Sequence, residues 1–574
     1  MNSKILSLNT DVLRSCDRPS SLPILHGQRG SSLLVVIIVI AILSMGMGTY
    51  MNSLTNYRRV QELRILDDKA MMAAEAGLAT AITALQNMAA PPASDLTQTI
   101  TLPSAQFFPF QTVTSTVHPQ TSGTQQYYTV VATVAANNAA TKNTSVGRRV
   151  QATLSQRNFA KYEQFINDWG GVWSPGYVSF LGLGTVFMGP VNINSGCAFF
   201  PNFWSLDEVT TAATGGVNVY ANWGSYLGGV YGNASAHSAV SILNYFSSTY
   251  ANAPQFYGGL RTLPTPVSLP TDMNTDVRAA ELRTRAGLTL PDNYSGYVAA
   301  AGPNFVVDLS NSGSPGDGRI TIRQYLGNAS GSPSYGPPLV KSISAVNGAM
   351  IVKGNIVSLK GVLNGKLTIG AFASTANPTG GNINITGSLE YDSRKKQSGF
   401  KYTDAPGLFT ADGSGINSTY VDTLQNQLST LTDMLGIVSE GNVLIKQNDL
   451  DGNPIANNMA VPLYIDAVVM STGASQSTPG SGGFGVENDL TRPPGQAYFL
   501  GGMIQNKQLN WSLYNGSGIT NGIALTNLWD KRASQPGSAP PFFPTTGTFE
   551  LVPNTWTSSY LESTSAPITY LSLP

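Results

Sequence analysis

The chain has 574 residues with 32 basic and 32 acidic side chains, so its net charge is zero, and only 11% of its residues are charged against an average of about 25%. That balance offers no basic footprint for nucleic acid, while 42% hydrophobic residues suffice for a large core and more than one domain. The 59 glycines and 34 prolines, with abundant Asn, Ser and Thr, indicate many short strands and turns.

Residues 1–30 are polar, contain Ser and Pro, and read as an unfolded leader ending in Gln28-Arg29-Gly30. No charge then appears for 27 residues, from Ser31 to Tyr57. As a helix rising about 1.5 Å per residue, this run exceeds the roughly 30 Å hydrocarbon core of a bilayer. A cleaved secretory signal would need an apolar region of about 7–15 residues followed by a small-residue cut site. A buried helix of a soluble domain is seldom so long without charge. The run is therefore read as a membrane span, with Leu33, Val35, Ile38 and Ile42 inside it. Lys4, Arg14, Arg18 and Arg29 precede it and place the N-terminus in the cytoplasm, with the body exported to the periplasm or cell surface. Arg58, Arg59 and Arg64 count against that orientation.

Gln28-Arg29-Gly30 followed by Ser31-Ser32-Leu33-Leu34 and an aliphatic run resembles a type IV prepilin leader. The likeness extends to the N-terminal segment of PilX-type minor pilins, which Ala73-Ala74-Glu75-Ala76-Gly77-Leu78 also fits. The resemblance implies cleavage by a prepilin peptidase between Gly30 and Ser31, a helix retained in the membrane, and other pilin-like subunits as partners. Major pilins carry a glutamate at the fifth mature position, where this chain has Val35. That departure is common in minor and tip subunits and argues against a major, repeating pilin.

Beyond the apolar run, Leu63, Leu66, Ala70, Ala73, Gly77 and Ala84 recur at helical spacing as a stripe of small residues. Two uses are open for it: close packing against sister helices, or packing on the protein's own β body. Glu75 reads as a solvated residue, and Pro91-Pro92 ends a helix expected from about Ser31 to Met88. Residues 111–117, 127–134 and 149–154 alternate as strands, giving a small antiparallel sheet packed on the helix. The aromatic cluster from Phe159 to Phe165 joins this sheet to the larger body.

From about residue 170, short apolar pieces are punctuated by Gly and Asn. Gly354-Asn355-Ile356 and Gly381-Asn382-Ile383 lie 27 residues apart, and Gly441-Asn442-Val443 returns later. Coils of about 20–30 residues are typical of solenoids, and Gly-Asn supplies sharp corners. The expected fold is mainly β with one long N-terminal α-helix: a pilin-like helix and antiparallel sheet, then a right-handed parallel β-helix, with a β-sandwich as the alternative. The expected divisions are 1–30, 31–90, 91–165 and 166–574, with an irregular insertion at about 205–335 whose one helical piece runs over 275–286. The body also resembles an uncharacterised bacterial family that follows pilin-like N-termini, through residues 189–194, Phe256-Tyr257-Gly258-Gly259, Leu269-Pro270 and Pro540-Pro541-Phe542-Phe543-Pro544 before Trp556. No catalytic role comes with it.

Sequence chemistry is sparse. His26, His118 and His237 form no metal spacing, and no nucleophile elbow or phosphate loop is present. His237 reads as a surface loop residue. Cleavage after Gly30 would remove Cys16 and leave Cys197, read as a buried structural thiol, so the mature chain would have no intrachain disulfide. Asp392, Arg394, Lys395 and Lys396 are the one charged cluster in the coil region and read as a solvated turn; Asp449-Leu450-Asp451-Gly452-Asn453 reads as a turn, its glycine arriving too early for a calcium loop. The expectation is a non-enzymatic, cofactor-free, membrane-anchored minor subunit of a type IV pilus-type filament or its assembly machinery, displaying its body to surface glycans or proteins. A tethered carbohydrate-active β-helix and a plain single-pass envelope protein are the alternatives.

Overall fold

The computed structural model describes residues 31–88, 92–102, 107, 109–122, 125–137, 145–168, 178–180, 185–194, 197–199, 203–212, 217–219, 255–263, 266–329, 331–402, 416–475, 482–514, 519–535 and 537–561. One long helix is followed by a chain that is mostly β. Helix α1 spans Ser31–Gln86, 56 residues, or about 84 Å at 1.5 Å per residue. It begins at the residue after the leader glycine and stops five residues short of the proline pair.

Four strands, β1 (Leu96–Thr101), β2 (Thr112–Ser122), β3 (Gln125–Asn137) and β4 (Ser145–Asn158), form the expected antiparallel meander. Val113, Ser115 and Val117 alternate inward from β2, with the period of two that a half-buried strand requires. This face packs on Ala70, Ala73, Ala74, Leu78, Ala81 and Leu85 of α1, whose three- and four-residue spacing makes one helical stripe. The small-residue stripe therefore belongs to the protein's own sheet. At Gly77 a Cβ would lie 2.4 Å from Val113 Cγ1, so the helix backbone approaches β2 more closely than any side chain permits. Two further strands, Thr545–Leu551 and Thr557–Tyr560, pair with the other edge of β4. The expected division assigned everything after residue 165 to the body; these last strands instead complete the first sheet. A turn signal marks such strands, but nothing local names β4 as their partner.

The body consists of coils whose strands pair in parallel, apart from a hairpin region at one end and a second hairpin near residues 512–522. One sheet has ten strands, ordered Leu260–Leu263, Val209–Ala212, Val191–Ile193, β5 (Gln164–Asp168), Met503–Lys507, Val468–Ser471, Met434–Ser439, Lys366–Phe372, Ala349–Lys353 and Leu288–Leu290. The chain thus enters the stack in the middle. It winds outward to Leu263, resumes at the opposite end with Leu288, and winds back until Met503–Lys507 pairs with β5. Strands at 209–219, 255–263, 288–290 and 304–335 are regular members of the sheets, so the region expected to be an irregular insertion supplies coils at both ends of the stack. Its helical piece is present as Val277–Ala279 and Ala280–Arg285.

Both faces of the ten-stranded sheet are apolar, which is why Met434–Ser439 is buried throughout. The inner face meets a second sheet through Ile369, Ile437, Val469, Ile385, Ile465 and Phe499. The outer face, with Ile351, Phe372, Met434, Val438 and Ile504, is covered by Leu269, Met273 and Leu282 and by Phe542 and Phe543. Phe159 and Phe165 belong to the same cluster, with ring centroids 5.2 Å apart, so the aromatic segment that follows β4 packs into the body.

The Gly-Asn repeats stack as corners. Asn355 Nδ2 donates to Asn304 Oδ1 at 3.1 Å, Asn382 Nδ2 donates to Asn355 Oδ1 at 3.2 Å, and Asn382 Oδ1 accepts from the Asn442 amide at 2.9 Å. Asn442 Oδ1 accepts from the Gly483 amide at 3.1 Å. Gly381 takes φ +83°, a left-handed conformation that glycine adopts without strain. Each Asn satisfies corner amides that the ladders leave unpaired. Asn382→Ala breaks this series in the middle and should cost about 1–3 kcal/mol, read as a lower urea midpoint with an unchanged slope.

A single carboxyl ties the entering strand to both arms of the stack. Glu163, 2% exposed, accepts from the Met188 and Gly189 amides at 2.6 and 2.7 Å and from Asn527 Nδ2 at 2.8 Å. Burial pushes this carboxyl up to about 8, against the pull of those donors. The unfolded chain releases the proton near its ordinary value of 4.5 and the folded chain holds it, so stability falls as pH rises from about 4.5 to 8 and levels off above. Thermal unfolding across that window should show a smaller loss in Glu163→Gln than in the parent.

Candidate assembly surface on the N-terminal helix

Among the described residues, no other element buries the first half of α1. Residues 32–62 are exposed throughout, and Leu33, Val35, Ile38 and Ile42 are between 49% and 68% exposed. This is the one helix among the described residues that is long and apolar enough to cross a membrane. Ser31 opens it, while Gly30, on the other side of the expected cleavage bond, lies outside the described residues. An all-round apolar helix surface needs an apolar surrounding, whereas the second half of the same helix has one built from its own sheet. Glu75 is exposed, on the side of α1 away from that sheet.

The two halves meet at a charged clasp. Arg148 of β4 donates from Nε and Nη2 to the two carboxylate oxygens of Asp67, at 2.7 and 2.6 Å. Tyr560, from the last described strand, places its ring 3.6 Å from the Arg148 guanidinium carbon and its hydroxyl 3.3 Å from Asp67 Oδ2. The Arg148 hydrogen bonds hold the Asp67 carboxyl below its usual range. The clasp joins residues 67, 148 and 560, each from a different part of the chain. Sequence reading missed it, because none of the three lies in a motif; the signal was an acidic residue on the stripe face of α1.

Within the charged cluster of the coil region, Asp392 and Arg394 are buried, which corrects the expectation of a solvated turn for those two, while Lys395 and Lys396 are exposed. Arg394 is 9% exposed and donates from Nε to Asp466 at 2.7 Å, and its Nη2 pairs with Glu390. Asp466 also accepts from Tyr402 Oη at 2.6 Å and from the Tyr391 amide at 2.8 Å. Burial works against the Arg394 charge, but Asp466, Tyr402 and Glu390 outweigh it and hold the guanidinium above its usual range. Lys396 pairs with Asp392 at 2.5 Å and Lys395 with Glu390 at 3.2 Å. Every member pairs with another protein group, so the cluster fastens a loop, with the two lysines at its exposed rim. The 449–453 segment is a turn, with Asp449 accepting from the Asp451 and Asn453 amides at 3.0 and 2.8 Å.

His118 pairs with Asp95 at the rim of the antiparallel sheet. Cys16, His26 and His237 lie outside the described residues, as does the side chain of Cys197, whose backbone is in the strand Cys197–Phe199. Among the described residues, no group of three or more His, Cys, Asp or Glu is placed to hold a metal.

No family model and no curated protein matches the chain. Among solved structures, the competence-associated pilin ComZ from Thermus thermophilus aligns over 86% of this chain and 98% of its own, at 12% identity and a TM-score of 0.24. A likeness of that strength assigns no role to any residue here, and the functional reading rests on the chain's own geometry.

Gly77 and Gly46 separate the two halves of α1 experimentally. A methyl at Gly77 meets Val113, whereas one at Gly46 meets nothing within 4 Å. Gly77→Ala should lower stability by about 1–3 kcal/mol, and Gly46→Ala should not lower it, as read by thermal unfolding in detergent.

Proposed function

We propose that this chain is a membrane-anchored, pilin-like minor subunit of a type IV pilus-type filament or of its assembly machinery. The observation that carries the reading is the division of α1: a free apolar half that begins at Ser31, continuous with a half clamped by its own antiparallel sheet. A helix free over residues 32–62 has surface for a bilayer and for sister helices at once. The leader ending in Gly30 supports export by the prepilin route, with the leader cytoplasmic and the body periplasmic or at the cell surface. Val35 at the fifth mature position supports a minor or tip place rather than the repeating shaft.

The body's role is display without catalysis. Its coils form a parallel β-helix whose buried charges face groups of the chain itself, as Arg394 does with Asp466 and Arg532 with Asp530. Glycans or proteins at a surface are the ligands in keeping with its Asn-, Ser- and Thr-rich exterior.

Intact-mass and N-terminal analysis of membrane-extracted protein, from cells with and without the prepilin peptidase, tests this reading. The expected mature N-terminus is Ser31, lost when the peptidase is absent. A chain beginning at Met1 in both would sink the pilin reading and leave a single-pass envelope protein.

A further inference from the structure

Where α1 leaves the membrane-facing half and meets the sheet, a groove of about 450 Å³ lies between helix and sheet edge. Val60, Leu63, Val146 and Leu561 give it apolar walls, and Arg64 and Asp67 stand among them. Asp67 is neutralised by Arg148 through two hydrogen bonds. Arg64 is exposed and makes no hydrogen bond or ion pair among the described residues. Among the described residues, the groove's one uncompensated charge is therefore positive, set beside an apolar wall. It opens three residues beyond Tyr57, the last uncharged residue of the run, which is about 5 Å at 1.5 Å per residue. That is the level of lipid headgroups when the C-terminal end of the run sits at the edge of the hydrocarbon core.

We propose that this groove is a binding site for an anionic phospholipid, with Arg64 on the phosphate and the apolar wall against the glycerol and upper acyl chain. Arginine suits the role, since its fork matches phosphate oxygens and its stem lies along apolar surface. The inference rests on the membrane anchoring proposed above. Positional arithmetic supplies an internal control. At 100° per residue, positions 60, 63, 64 and 67 share one side of α1, and Arg58 lies on the opposite side with the same charge and nearly the same depth.

The full chain would be reconstituted into phosphatidylcholine vesicles carrying trace photoreactive phosphatidylglycerol or, separately, trace photoreactive phosphatidylcholine. Flotation is read first, then the crosslinked residues by mass spectrometry. Phosphatidylglycerol should label residues 60–64 and 146–147 about five- to tenfold more than phosphatidylcholine does, the advantage of one arginine at an anionic headgroup. Arg64→Gln should remove that excess, and Arg58→Gln should keep it. Both positions are exposed, so neither change threatens the fold. Equal labelling by the two lipids, or equal loss in the two variants, would overturn the site while leaving the anchor intact. Crosslinks from the groove to a second protein chain would overturn it in favour of a helix partner. A chain that fails to float would overturn the anchor itself.

Discussion

The pairing of β5 with Met503–Lys507 is the contact on which the body depends. Because the chain enters the coil stack in the middle, its first coil has a sequence-local neighbour on one side only. The other side stays an open strand edge until the final coil arrives more than 330 residues later. Glu163 sits at this seam and takes hydrogen bonds from both arms, from Met188 and Gly189 on one and Asn527 on the other. An open edge and an unsatisfied buried carboxyl are both costly, so neither arm reaches its final state without the other.

The same logic closes the neck. The antiparallel sheet that grips α1 is completed by Thr545–Leu551 and Thr557–Tyr560, and the Asp67–Arg148–Tyr560 clasp needs all three parts of the chain. The helix and the coiled body are thereby fixed to each other at both ends of the body's sequence. A neck held from both sides transmits load through strand pairing and an ion pair, and no single linker carries it. The small-residue stripe being occupied by the sheet, the surface of α1 left open is its remaining faces and its free half.

Some of this was legible. The 27-residue uncharged run marked the free half of α1, because helix length and charge are local quantities. The corners at Gly354-Asn355, Gly381-Asn382 and Gly441-Asn442 were legible as repeats, because each corner needs the same left-handed or side-chain-capped backbone. Arg394 and Asp392 were misread as solvated, though Lys395 and Lys396 beside them are exposed. The decisive partner of Arg394, Asp466, lies 72 residues downstream and is brought beside it by the next coil. Tyr560 was invisible for the same reason at greater distance.

The sequence by itself determined the membrane-capable helix, the antiparallel meander behind it and the coiled character of the body, since each follows from periodicity or composition within a few tens of residues. Only the tertiary structure decided the order of the coils, the return of the C-terminal strands to β4, the burial of Arg394 against Asp466 and the groove beside Arg64. Parallel ladders and ion pairs join residues by register in space, and a strand's pattern states which face is apolar without stating which edge it will meet.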